Sequence, residues 1–123
     1  MPAIRIEISD QTDRATMLRI RDSVKKAVLV TLAPKETKFD YVTIYGVVAE
    51  YGDGIPLITV DLRPGREAVR KKALVDAIAA ILKNEIGVTP EDIYVLFREI
   101  PASNHFTGGI ALKEWVPANR LEE

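Results

Sequence analysis

Apolar and polar residues alternate at the start of the chain, where Ile4, Ile6 and Ile8 are separated by Arg5 and Glu7. A period of two predicts a strand with one face in a core and the other in a more polar setting. The period then lengthens. From Asp13 to about Leu32 the apolar positions Met17, Ile20, Val24, Ala27, Val28 and Leu32 recur at threes and fours, while Arg14, Arg19, Lys25 and Lys26 fall on other faces. That pattern predicts a helix with one apolar stripe. Ala33-Pro34 ends it, and the stretch from Phe39 to Ala49, rich in Tyr, Val, Thr and Ile, predicts a second strand. Tyr51-Gly52-Asp53-Gly54 has the composition of a turn.

After that turn the pattern begins again. Pro56-Leu57-Ile58-Thr59-Val60-Asp61-Leu62 repeats Pro2-Ala3-Ile4-Arg5-Ile6-Glu7-Ile8 position by position, with the proline, the alternating aliphatics and the acidic residue all coinciding. A second helix is predicted from roughly Glu67 to Asn84, with Val69, Ala73, Ala77, Ile78, Ile81 and Leu82 inward and Gly87 placed to terminate it. Thr89-Pro90-Glu91-Asp92 reads as a short turn, and Ile93 to Glu99 as a fourth strand. The order is βαβ followed by βαβ. Helical crossovers favour parallel pairing within each unit and a right-handed connection. The expected fold is therefore α+β: one domain over residues 1–123, with repeats at 2–54 and 56–109, a tail at 110–123, and one four-stranded mixed sheet carrying both helices on one face. The other face needs cover, and a closed ring of identical chains is one way to supply it.

Composition narrows the function. Hydrophobic residues make up 47% of the 123 positions, charged residues 28%, and the formal net charge is -1, so the chain is neither disordered nor a general binder of nucleic acid. There is no cysteine, hence no disulfide and no thiolate nucleophile. The first residues lack the apolar run of a signal peptide, and no stretch approaches the ~18 apolar residues of a membrane span, so the expected location is the cytoplasm, away from any membrane. With one histidine and no carboxylate cluster of recognisable ligand spacing, neither a metal nor another cofactor is expected.

Three places could carry chemistry. Removal of Met1 would make Pro2 a free secondary amine at the head of a strand. Such a group can accept a proton or attack a carbonyl, and an apolar setting or nearby guanidinium groups would lower its affinity for the proton. Arg63-Pro64-Gly65-Arg66 lies where the third strand passes into the second helix, and two arginines there can hold a carboxylate through forked hydrogen bonds, helped by the helix N-terminus. The equivalent stretch of the first unit, Ser9 to Asp13, has no such pair. Finally, His105-Phe106-Thr107-Gly108-Gly109 follows the fourth strand, and an aromatic beside two glycines can wall a pocket. Phe106 could equally cover an edge of the core, and His105 has no identifiable carboxylate partner. Trp115 reads as a packing residue.

Met1-Pro2, the paired βαβ units, Gly65-Arg66 opening the second helix and the His105–Gly109 loop together resemble the tautomerase superfamily across nearly the whole chain. Each half is similar to short members such as 4-oxalocrotonate tautomerase. The fused length, Arg63-Pro64-Gly65-Arg66, the run from Tyr94 to Ala102 and Glu114-Trp115 are more similar to the cis-3-chloroacrylic acid dehalogenase group. The resemblance implies a homotrimer, Pro2 as an amino-terminal base, Arg63 and Arg66 for a substrate carboxylate and Phe106 as an aromatic wall, with His105 and Thr107 as further candidates. It also marks departures. The dehalogenase's water-activating glutamate, assisting tyrosine and helix-one histidine correspond to Thr107, Leu96 and about Leu29. The aspartate that malonate semialdehyde decarboxylase uses before its second strand corresponds to about Thr37.

The function expected is that of a cofactor-independent keto–enol tautomerase, an isomerase moving a proton in a small carboxylated enol or keto acid. Two alternatives keep the fold. In one, Pro2 forms an iminium with a carbonyl substrate, as a decarboxylase, aldolase or hydratase-dehalogenase relative would. In the other, the chain is a non-catalytic trimeric binding protein.

Overall fold

Ile4, Ile6 and Ile8 form the inward face of β1 (Ala3–Ser9), each all but excluded from water, as the alternation requires. The computed structural model describes residues 2–35, 40–48 and 56–117; the expected turn at 51–54, and with it Phe39 and Ala49, lies outside the described residues. Helix α1 (Arg14–Thr31) starts at Asp13, whose carboxylate accepts the Thr16 backbone N–H at 2.7 Å. That bond holds the Asp13 carboxyl below its usual range. Ile20, Val24, Val28 and Leu32 make its buried stripe.

The remaining elements are β2 (Tyr41–Val47), β3 (Leu57–Leu62), α2 (Ala68–Ile86) and β4 (Tyr94–Glu99). They form one sheet in the order β2-β1-β3-β4. β1 and β2 are parallel, as are β3 and β4, while β1 and β3 run antiparallel with Ala3 opposite Asp61. This is the mixed sheet expected of two βαβ units. Ile58, Val60 and Leu62 join the β1 isoleucines in one core, against the α1 stripe and Leu74, Ile78 and Leu82 of α2. Both helices thus cover the same face. A two-stranded ribbon, β5 (Phe106–Thr107) and β6 (Ile110–Ala111), follows.

The α2 stripe differs from expectation. Val69 is exposed and Ala73 faces outward, whereas Arg70, Leu74, Ile78 and Leu82 are buried. The first inward position is taken by a charged residue, Arg70, which Glu67 neutralises at 2.9 Å with both side chains nearly excluded from solvent. Hydrophobic periodicity assigns that place to its apolar neighbour. The helix also runs two residues beyond Asn84, closing on Gly87 in a left-handed conformation (φ 71°). β2 and β4 begin later than expected, at Tyr41 and Tyr94.

On the uncovered face, Asp61 of β3 accepts from Arg5 of β1 at 2.6 Å and from Arg98 of β4 at 2.6 and 2.8 Å. Tyr41, Tyr45, Tyr94 and Leu96 also lie exposed on the outer strands. No described helix is long and apolar enough to cross a membrane, and among the described residues no group of three or more acidic or histidine side chains could hold a metal ion.

Candidate active site

Pro2 sits immediately ahead of β1 and is buried, and its carbonyl accepts the Tyr41 backbone N–H at 3.1 Å. Pro56 does the same in the second unit, where its carbonyl accepts from Tyr94 at 3.2 Å. The two halves therefore share a backbone device and differ in what surrounds it. Asp40 precedes Tyr41, but Ile93 precedes Tyr94. Arg63 and Arg66 follow β3, and the corresponding positions of the first unit are Ser9, the last residue of β1, and Thr12. Because β1 and β3 are antiparallel, the end of β3 leaves the sheet beside Pro2, bringing Arg63 and Arg66 to that end with Asp40. Asp40, Arg63 and Arg66 collect at the Pro2 end, and the corresponding positions at the Pro56 end, Ile93, Ser9 and Thr12, carry no charge.

Arg66 is 4% exposed. Its Nε donates to the Leu32 carbonyl at 3.1 Å, and its guanidinium lies 4.1 Å from the centre of the Trp115 ring. Nη1 and Nη2 are buried without a hydrogen-bond partner among the described residues. Such unmet donors are costly unless an acceptor arrives, which makes this guanidinium edge suited to a carboxylate. Burial, then the nearby Arg63, push its pKa down to about 10, with Asp40 pulling the other way. It stays cationic at neutral pH.

The Leu32 carbonyl is available because α1 ends there. Ala33 turns the chain with φ 47°, a left-handed conformation disfavoured for a residue with a side chain. This bend presents two successive carbonyls, Leu32 to Arg66 and Ala33 to the Trp115 Nε1–H at 3.4 Å. Arg63 takes a different part, donating from Nη1 to the Lys113 carbonyl. Gly65 lets the chain itself approach closely. With φ 123°, a Cβ on Gly65 would stand 2.9 Å from the Trp115 carbonyl oxygen.

Asp40 is the residue that sequence reasoning missed. Its carboxyl is 6% exposed, and burial drives its pKa upward, opposed by the positive charge of the chain terminus and by Arg66. The expectation placed the corresponding aspartate near Thr37, which lies outside the described residues. The available signal was an acid directly ahead of the second strand, visible only once the strand's first residue is known.

The other candidates stand apart from this group. Phe106 and Thr107 form one strand of the separate ribbon, with Phe106 63% exposed and Gly108 and Gly109 turning the chain at positive φ. The His105 Nε2–H donates to the Ile100 carbonyl at 2.9 Å, while its backbone N–H bonds Ala102 and its carbonyl accepts from Leu112. His105 thus braces the loop. A cleft of about 960 Å³ opens between Pro64–Gly65, residues 101–103 and residues 111–117. It meets the charged cluster through Gly65 and Trp115, whereas Pro2, Asp40 and Arg66 are not on its wall.

Residues 56–114 match the Tautomerase enzyme family. No curated protein matches the sequence. Among solved structures the chain is similar to a wild-type fused 4-OT in its symmetric trimer, at 20% identity over 89% of this chain and 94% of that one, with a TM-score of 0.77. It is also similar to Pt0534 inactivated by 2-oxo-3-pentynoate, at 15% identity over the same shares and a TM-score of 0.74. A third is malonate semialdehyde decarboxylase, at 14% identity over 86% and 90% of the two chains, with a TM-score of 0.65. By sequence the second unit matches the Tautomerase enzyme family, and by fold the chain is similar to fused 4-OT over most of its length.

Proposed function

We propose that the protein is a cofactor-independent keto–enol tautomerase acting on a small carboxylated enol or keto acid. The observation that carries this reading is the burial of Pro2 at the sheet end where Asp40 also lies, together with the buried guanidinium edge of Arg66, which has no hydrogen-bond partner among the described residues. With Met1 removed, the Pro2 nitrogen takes the enol hydroxyl proton and delivers a proton to carbon, leaving the keto acid. Arg66 holds the carboxylate and stabilises the enolate charge as it develops, with Arg63 adding positive charge nearby. A positioned base contributes ~10²- to 10⁴-fold, and preorganised donors supply a comparable or larger part. Phe106 would exclude water from a site of its own or a neighbouring subunit. Fused 4-OT is a trimer, and a trimer here would cover the open sheet face. Phenylenolpyruvate ketonisation by wild type and by Pro2→Ala tests the assignment.

Asp40 favours a second reading. A carboxylate next to the Pro2 amine stabilises its protonated form and so opposes the effect of the arginines. The same pair would serve iminium chemistry on a 3-oxo acid: the Pro2 nitrogen condenses with the carbonyl, expelling water. The bond to the carboxylate carbon then breaks, CO2 leaves, and its electron pair passes into the iminium to give an enamine. Malonate semialdehyde decarboxylase shares the fold and has decarboxylase and hydratase activities. Borohydride reduction in the presence of a carbonyl substrate separates the two, since only the iminium route adds mass to the amino-terminal peptide. A trimer with Met1 retained and no turnover would point to a binding protein.

A further inference from the structure

Residues 112–117 form no regular structure, yet they are tied to the arginine side of the site by several independent contacts. Arg63 donates to the Lys113 carbonyl. The Arg66 guanidinium lies over the Trp115 ring at 4.1 Å, and that of Arg70 is 5.5 Å from the same ring. Trp115, the only tryptophan, is 4% exposed and donates to the Ala33 carbonyl. Gly65 leaves room for the Trp115 backbone that no other residue would leave.

These contacts matter because a forked hydrogen bond to a carboxylate requires the guanidinium plane to be fixed. The Nε bond to Leu32 fixes one edge of Arg66 and the indole fixes its plane, which leaves the edge carrying Nη1 and Nη2. Behind the indole, Arg70 is itself held by Glu67.

Building on the tautomerase reading, we propose that Trp115 is a positioning residue: it clamps Arg66 so that Nη1 and Nη2 face the substrate carboxylate, and Arg63 anchors the segment that carries Trp115. The two arginines then divide the work, Arg66 binding the anion and Arg63 keeping the clamp closed.

The clamp is tested without substrate by the NMR resonance of the Arg66 Nε–H, which the indole ring current should shift upfield in wild type and not in Trp115→Leu. An unshifted wild-type resonance overturns the proposal. With phenylenolpyruvate, Trp115→Leu should raise KM about tenfold with kcat within about twofold, while Trp115→Phe, which keeps a ring face for the cation, stays within about threefold of wild type. Arg63→Gln should raise KM, and adding it to Trp115→Leu should cost nothing more; additive losses would make Arg63 an independent carboxylate ligand and overturn the division of work. If phenylenolpyruvate is not turned over although the Arg66 resonance is shifted, the tautomerase reading fails by itself. Pyruvate titrated against the Arg66 Nε–H resonance then decides the clamp: a dissociation constant raised about tenfold in Trp115→Leu and held within about threefold of wild type in Trp115→Phe supports it, and one unchanged in Trp115→Leu overturns it.

Discussion

Arg66 and Asp40 are charged residues almost entirely withdrawn from water, and an isolated charge in such a place is strongly unfavourable. Each eases the other's burial, since Asp40 raises the proton affinity of Arg66 and Arg66 lowers that of Asp40. Burial still wins at Asp40, whose pKa lies above the ordinary 3.8. A carboxyl with a raised folded-state pKa contributes stability that is full below its unfolded value and lost as pH rises through the folded one. Asp40→Asn should therefore unfold at a higher temperature than wild type at pH 7, with the advantage vanishing below about pH 4. Calorimetry at the two pH values checks this, and a lower melting temperature at pH 7 would mean that the positive neighbours outweigh burial. In ketonisation the same variant should keep activity with its acidic limb moved to lower pH, because Pro2 loses the charge that favours its protonated form.

At the scale of elements, the site depends on how two elements end and how one begins. α1 stops in the disfavoured bend at Ala33, β3 leaves the sheet beside Pro2, and α2 opens with the buried Glu67–Arg70 pair. Gly65 lies between the last two, and Gly65→Ala would impose both a positive φ on a side chain and a clash with the Trp115 carbonyl. A cost of about 1–3 kcal/mol is expected, with Trp115 emission moving to the red as the segment lifts. Unchanged stability and emission would show that the approach is dispensable. Much of this level was legible in the sequence. The isoleucine alternation in β1, its copy in β3 and the stripe of α1 follow apolar periodicity, and Pro2, Arg63 and Arg66 stand out by residue type. The inward arginine of α2 was not legible, since a charge at a core position is predicted only by knowing its partner. Asp40 escaped for a related reason: the length of the α1–β2 connection sets which acid reaches Pro2, and no apolar pattern records it. Nor does sequence spacing reveal that Trp115 returns to Arg66 across the fold.

At the scale of the whole molecule, duplication produced two similar sheet ends, and divergence charged only one of them. Pro56, with Ile93, Ser9 and Thr12 in place of Asp40, Arg63 and Arg66, is an internal residue whose nitrogen is an amide. The uncovered sheet face carries the Arg5–Asp61–Arg98 network together with exposed tyrosines and Leu96, a mixed surface on which a second copy could pack. Sedimentation equilibrium should give the mass of three chains, and a monomer at micromolar concentration would remove the trimer from the account. Whatever the assembly, the proposed function turns on the amino-terminal nitrogen. The most direct test is the rate of phenylenolpyruvate ketonisation for protein whose intact mass lacks Met1, compared with Pro2→Ala prepared in the same way. A kcat reduced by about 10²-fold or more in the variant is the predicted result; equal rates for the two proteins would contradict Pro2 as the base.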